Sequence, residues 1–490
     1  MSSTAVFGGA QAMNILINIV RGKLVAMILH SSGMGVMSLL TNAANTLQQF
    51  ALMGINMSAV RNISQEAESG NEQTLAATVR IVRTLVFMAS ALGLVLTLAC
   101  SPLLSQMSFE SQDYLPYFLV MSIAVFVNVM GMGEMAVMQG LRRYKQLALC
   151  SIVPPACGLL LSIPIYYIWG LKGIVPAMIL SGTIYYISIR MASYRKKTAR
   201  TPVRWRDMWA QGKEILQFGL VMTIGSAIGT ITTYALTIFI SNTGSVEDVG
   251  YYQAANMITM QYLTIIFTAM ATDYYPQLSS LVKKRMSEAR RFVSQQTEMV
   301  LLIVTPLSML MILTAPLLIN ILLTGEFQAI RTVVRFMGLA GIFKALCFPM
   351  DYLAYAKGDK NYIFWVEVVW GNLKTFTVIS GCYLFAGIDG LGYGALCSAV
   401  IDVIVCIVLT RWRYGYHLSS DAVRVLTITL LLSGSCFLAA YLPNVWASYG
   451  IMASTTITGI AYSLYQINKR MDLHMAWQRL KLRSKGQKTD

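Results

Sequence analysis

The stretch GLKGIVPAMILSGTIYYISIRMASYRKKTARTPVRWRDMWAQGK, residues 170–213, decides the reading of this chain. It opens with a glycine pair, continues as an apolar run, then turns abruptly basic. The run is long enough to cross about 30 Å of hydrocarbon as a helix. The basic segment that follows cannot enter lipid. Working outward, the same alternation recurs from end to end. Apolar spans are expected at 4–29, 35–59, 76–104, 114–140, 146–168, 172–194, 215–241, 248–281, 292–324, 330–356, 361–386, 390–411, 422–442 and 446–467. Spans bearing proline, such as 146–168 with Pro154, Pro155 and Pro164, are expected to kink or break.

Composition agrees. Of 490 residues, 56% are hydrophobic and only 12% charged, too few charges to cover a soluble protein of this size. The N-terminal segment has neither a basic leader nor a small-residue cleavage site, and reads as an uncleaved first helix. The net charge of +16 comes with no aromatic-and-basic surface, which argues against nucleic acid as a partner. The eight cysteines lie in or beside apolar runs, without metal-ligand spacing to histidine. They read as small core residues; neither a metal nor a cofactor is expected.

Placement of charge sets orientation. With the N-terminus inside, 31 of the 38 Lys and Arg fall on cytoplasmic connections, their flanking turns and the C-terminal tail, and only Lys172 and Arg331 fall outside. Both termini are then cytoplasmic. The basic tail, with Trp477 ahead of Lys481, Arg483 and Lys485, suits the anionic inner leaflet.

An internal repeat crosses the basic segment. Gly35 matches Gly250, Gly140 matches Gly358, and Gly170-Leu-Lys-Gly173 matches Gly387-Ile-Asp-Gly390, at offsets of 215, 218 and 217. The fold class is therefore an all-α polytopic membrane protein of about fourteen transmembrane helices. Two six-helix lobes are related by a pseudo-two-fold repeat and followed by two C-terminal helices. The domains are an N-terminal lobe at 1–195, a basic cytoplasmic linker at 196–213, a C-terminal lobe at 214–413, the last two helices at 414–468 and a basic tail at 469–490.

The first two helices of each lobe are the polar ones. Gln11, Asn14, Asn18 and Arg21 form one stripe on helix 1, and Asn42, Asn45, Gln49 and Asn56 another on helix 2. Thr223, Ser226, Thr230, Thr233 and Thr237 line helix 7, and Gln253, Asn256 and Thr259 line helix 8, with Asp273 deeper. These stripes either line a water-filled cavity or bond helix to helix. Charges inside spans are costly and mark cavities or partners. Lys344 and Asp351 share a face of helix 10, and Glu367 and Lys374 a face of helix 11. They form either two structural ion pairs or a basic layer with carboxylates beneath it. Arg21, Lys344 and Lys374 are the basic groups expected to face the cavity; Lys23 points elsewhere and can snorkel, and Arg335 reads as an interfacial anchor. Asp273, Asp351 and Glu367 are candidates for coupling ions. No phosphate-binding loop is present, and external loops are too short for an active site, so the chain is not expected to be an enzyme.

Gly22-Lys23-Leu24-Val25-Ala26 with Gly33-x-Gly35, Val249-Gly250-Tyr251-Tyr252-Gln253-Ala254-Ala255, Tyr275-Pro276-Gln277-Leu278-Ser279, and Tyr355-Ala356-Lys357-Gly358 with Glu367 resemble the O-antigen and polysaccharide lipid flippases. These belong to the multidrug/oligosaccharidyl-lipid/polysaccharide exporter superfamily. The resemblance covers helices 1–12. It implies a polyprenyl-pyrophosphate-linked oligosaccharide as substrate, flipped across a bacterial inner membrane by alternating access. A polysaccharide polymerase and a chain-length regulator are further candidate partners beside membrane lipids. It also places Lys23 where the family has a helix 1 lysine, against the stripe that favours Arg21. A cation-coupled multidrug exporter would want carboxylates in helices 1 and 2, which are absent here; a membrane enzyme of polysaccharide assembly would want a large external domain.

Overall fold

The computed structural model describes residues 2–194 and 205–471, so the first half of the basic linker, and the tail from residue 472, lie outside it, as does the Gln11 side chain. The described chain is helical, without strands. In lipid every backbone N–H and C=O must be bonded within its own segment, and helices of apolar residues do this. The elements are α1 (Ser2–Leu52), α2 (Ile55–Ser69), α3 (Glu72–Phe109), α4 (Leu115–Gly140), α5 (Tyr144–Trp169), α6 (Ile174–Tyr194) and α7 (Trp205–Thr243). They continue with α8 (Val246–Lys284), α9 (Met286–Leu322), α10 (Arg331–Lys357), the single turn α11 (Lys360–Tyr362), a π-helical stretch Ile363–Trp370, α12 (Gly371–Tyr414), α13 (Ser420–Ala439) and α14 (Val445–Met471).

Ten described segments are long and apolar enough to cross a membrane. Three of them, of 40, 48 and 55 residues, hold two helices each, folded at His30, Gly170 and Gly387. With α14, fourteen helices result among the described residues, as the alternation of apolar and basic segments requires. The helix α5 is not broken at Pro154, Pro155 or Pro164 and runs on through all three. The second helix runs further than 35–59. It starts at Ser31, pauses at Met53–Gly54, and continues as α2 to Ser69.

The chain forms two compact units, Met1–Ala254 with Leu322–Phe327, and Ala255–Ile321 with Gln328–Asp490. In the first, α4 packs on α3 and α6, α5 on α1 and α6, and α7 lies along α1, α2 and α3. In the second, α10 packs on α12 and α13 on α14. A continuous apolar core there joins Leu278, Val293, Leu301, Leu346, Met350 and Tyr414.

The glycine repeat has a physical cause. Within the first unit a Cβ on Gly35 would lie 1.8 Å from the Val246 carbonyl oxygen, and one on Gly250 would lie 2.0 Å from that of Ser31. Ser31 and Val246 stand in the same offset as the two glycines. The contact is reciprocal, as between copies of one element about a two-fold axis. Gly170 and Gly387 adopt nearly one conformation, φ/ψ 53/−129° and 57/−135°, which disfavours any side chain. Three residues later Gly173 and Gly390 close on the carbonyls of Ile165 and Cys382 respectively. Gly140 and Gly358 do not share a role. Gly140 packs against Ile63, whereas Gly358 takes the left-handed cap of α10 at φ 70°.

Candidate functional site: the polar stripes and buried charges

In the first unit the polar stripe of α1 is partly used between helices. Asn42 Nδ2 donates to Ser38 Oγ at 3.4 Å, Ser38 Oγ donates to Gln253 Oε1 at 3.4 Å, and Gln49 Nε2 donates to Ser226 Oγ at 2.6 Å. Asn18 reaches Asn14 at 3.5 Å. Asn45 and Gln253 are exposed, while Arg21 and Lys23 are half-buried, as is Asn256 in the second unit. The hydroxyls of α7 are satisfied by their own helix. Thr223, Thr230 and Thr233 donate to carbonyls four residues back, and Ser226 and Thr237 to carbonyls three back. As donors these hydroxyls bond within their own helix, a common answer where water is scarce, and Ser226 also accepts from Gln49.

The second unit concentrates the buried charge. Lys374, 3% exposed, is ion-paired with Asp402 and donates to the Ser398 carbonyl at 3.3 Å. Ser398, Asp402 and Cys406 are four apart and share one face of α12. Cys406 Sγ meets Asp351 Oδ1 at 3.2 Å. Glu367 sits inside the π-helical stretch, accepts from Tyr355 Oη, and keeps Oε1 buried without a partner. π-Helical turns often mark functional places. Lys344 contacts the Met260 thioether at 3.8 Å and lies within electrostatic reach of Asp402 and Lys374.

These contacts correct the ion-pair alternative. Asp351 does not pair with Lys344, nor Glu367 with Lys374, among the described residues. The spacing of seven placed each acid on its lysine's face, but along a helix that is two turns of separation. Asp402, on the returning half of α12, is the partner instead. Asp402 also stands within a span, but helical periodicity relates a lysine only to acids of its own helix. Cys406 is more than core filling, since it holds Asp351. Arg335 is not an interfacial anchor: it is 5% exposed, its Nε faces the Ile312 carbonyl at 3.4 Å, and Nη1 faces that of Ala440 at 3.2 Å. Asp273 stands apart, lining a cavity with Arg290 and Arg291.

Two further clusters escaped sequence reasoning. Glu134, 4% exposed, takes both forks of Arg83 (Nε 2.8 Å, Nη2 3.0 Å) and Arg190 Nη1 at 2.6 Å. Glu298 accepts from Ser419 Oγ at 3.1 Å and pairs with Arg470 at 2.8 Å, fastening α14 to α9. The available signal was an acid deep in a span with arginines at matching depth. Arg83 and Arg190 lie near the ends of their spans, where a basic residue equally suits the flank of a connection. Among the described residues no group of three or more His, Cys, Asp or Glu could hold a metal ion, and all eight cysteines are free thiols.

Fourteen described helices, with ion pairs buried within each of the two units, define an all-α multi-pass membrane protein. Residues 24–331 match the family described as polysaccharide biosynthesis protein, and this chain belongs to that family. The Lipid III flippase of Escherichia coli (strain K12) is 24% identical over 399 residues, 80% of this chain and 94% of that protein. The solved structure of the Lipid II flippase MurJ in an inward closed conformation superposes with a TM-score of 0.73 at 10% identity, covering 95% of this chain and 99% of that one. An inward-facing multidrug resistance MATE family transporter of the MOP superfamily gives 0.70 at 15% identity, covering 84% and 98%. The fold is therefore that shared by these transporters.

Proposed function

We propose that this protein is a flippase that moves a polyprenyl-pyrophosphate-linked oligosaccharide, such as an O-antigen or polysaccharide repeat unit, from the cytoplasmic to the periplasmic leaflet. Its setting is a bacterial inner membrane, with both termini cytoplasmic as the positive-inside count favours. The two six-helix lobes, 1–195 and 214–413, alternate access about the repeat axis. Helices 414–468 are additional.

One observation carries this reading above all. Helix 1 and the apolar part of helix 2, residues 35–59, present Arg21 and Lys23 but hold no carboxylate; the first acid in the chain, Glu66, lies in the polar extension of α2. A lobe of that kind attracts anions. A multidrug exporter working on cations would need the reverse, and the short external loops leave no room for an enzyme's active site. The flippase relatives and the family support the choice. The flippase structure also covers more of this chain than the multidrug transporter does, by about the length of α13 and α14.

The chemistry is coherent. A pyrophosphate cannot cross hydrocarbon unaided, because removing its charge from water costs far more than thermal energy. Arg21, Lys23 and Lys344, with Lys374 held by Asp402, offset that cost in a wet path while the lipid tail stays in the bilayer. An inside-negative potential helps an anion outward by about 2.3 kcal/mol per charge per 100 mV. Asp351 and Glu367, partnered by a thiol and a phenol, are the groups that can exchange a proton or sodium ion as the lobes rearrange; Asp273 is a third candidate.

The test compares lipid-linked glycan pools in a deletion strain and its parent. Accumulation of the lipid-linked repeat unit on the cytoplasmic leaflet, relieved by the wild-type gene and not by R21Q or K344Q, is the expected result. Unchanged pools would overturn the reading.

A further inference from the structure

The second unit holds a cavity of about 1100 Å³. Its walls are α8 through Asp273 and Gln277, the early turns of α9, the connection after α12, and the last residues of α14. A purely structural crevice would have its charges paired. Here three basic and three acidic groups line the space, and among the described residues one ion pair forms between them, Glu298 with Arg470.

Glu298 and Arg470 neutralise each other at 2.8 Å. Asp421 lies in the first turn of α13, where the unsatisfied N–H groups favour a carboxylate. That leaves Arg290 and Arg291 facing Asp273, and among the described residues none of the three forms an ion pair. Arg290 is also oddly seated. Its Nη2 lies 2.9 Å from where a Cβ on Gly415 would be, so only a glycine, here at φ 59°, leaves room for the guanidinium. Its Nε is buried without a hydrogen-bond partner. A buried charged donor left unbonded is costly, and such donors in native proteins have an acceptor. Gln277, Gln295 and Gln296 add amide donors, and His417 a ring nitrogen, around the same space.

We propose that this cavity is a binding site for a phosphate-type oxyanion, held by the Arg290 and Arg291 guanidinium groups. Two forked guanidinium groups suit the paired oxygens of a phosphate or pyrophosphate better than any point charge. The volume leaves room for the group attached to it. The choice of pyrophosphate over an ordinary anionic phospholipid rests on the flippase reading; the oxyanion site does not. On the lipid-linked reading it is a waiting position, occupied before the substrate reaches the Arg21 and Lys344 path.

The experiment measures equilibrium binding of radiolabelled inorganic pyrophosphate to the full-length protein in neutral detergent micelles. Saturable binding is expected. R290Q and R291Q should each weaken it about tenfold or more, the equivalent of one charge-assisted hydrogen bond. G415A should weaken it too, by displacing Arg290. Arg291 is exposed, so R291Q will fold, and its melting temperature verifies this. Absence of saturable binding, or binding that R290Q and R291Q leave unchanged, overturns the site. Nanodiscs of phosphatidylcholine with and without phosphatidylglycerol separate the sources. Displacement of pyrophosphate by phosphatidylglycerol assigns the site to common headgroups, and its absence assigns it to a pyrophosphate carrier. Intact binding in a protein whose deletion leaves glycan pools unchanged would sink the flippase reading and spare the site.

Discussion

Glu134 on α4 and Asp351 on α10 stand 217 residues apart, the offset that also relates Gly170 to Gly387, yet their surroundings are opposite. Glu134 is gripped by Arg83 and Arg190. Among the described residues Asp351 meets only a thiol, Cys406, which falls 216 residues after Arg190. The repeat thus has a carboxylate at one place in both halves, with arginine on the partner helix of the first and cysteine on that of the second. In the first half the acid is a strut tying α3, α4 and α6 together. In the second it is left without a fixed counter-charge, beside Glu367 and within reach of Asp402 and Lys374. A clamped carboxylate holds a structure; one with neutral partners can trade ions.

The largest expected effect tests that contrast directly. Glu134→Gln leaves two arginines facing a neutral group and should destabilise by on the order of 3 kcal/mol, moderated because both are partly exposed. Asp351→Asn should stay within about 1 kcal/mol of wild type, since only a weak thiol contact is lost. In reconstituted vesicles it should nevertheless abolish gradient-stimulated transport. Thermal melts in detergent read the first pair of numbers, and equal losses would erase the distinction between the halves.

Next comes Lys374 with Asp402. Lys374 is buried and Asp402 is 40% exposed, so removing the acid strands a buried charge, whereas removing the lysine leaves an acid that water can reach. Asp402→Asn should therefore cost about 2–3 kcal/mol, more than Lys374→Met, and the double variant should recover part of the loss. Additive losses would show that the two groups do not act as a pair.

The reciprocal glycines sharpen the repeat. Gly35→Ala and Gly250→Ala each force a methyl group onto a carbonyl and should cost about 1–3 kcal/mol apiece. Because the two contacts form one crossing, the losses should be similar and less than additive. A large loss at one position alone would deny the symmetry.

The smallest effect concerns the turn between α10 and α11. Hydrogen bonding from Arg413, together with the Tyr362 N–H and the Tyr414 hydroxyl, holds the Asp359 carboxyl well below the usual carboxylate range. A lowered value in the folded state means this contribution is complete above the unfolded value of about 3.9 and fades as pH falls beneath it. Wild type should therefore melt above Asp359→Asn at pH 7 and pH 5, with the gap closing in stronger acid. A gap that widened in acid would reverse the sign.

Much of this protein was legible before any coordinates. Apolar run length dictated helices, because hydrocarbon admits no other open-chain backbone. Lys and Arg placement told the connections from the spans and so yielded the count of fourteen, since moving a charge through lipid is costly at every crossing. The glycines at 35, 170, 250 and 387 were visible because steric need restricts those places to one residue type. What tertiary structure decided is pairing. Helical periodicity says that Lys344 and Asp351 share a face, but not that Lys374 finds Asp402 on the returning half of α12, or that Arg335 spans two carbonyls from α9 and the end of α13. Nor could it place Arg83 and Arg190 around Glu134, or seat Arg290 against Gly415. A sequence records which side of a helix a residue occupies; which helix packs against that side depends on contacts made across the whole bundle, and electrostatic partners are chosen there.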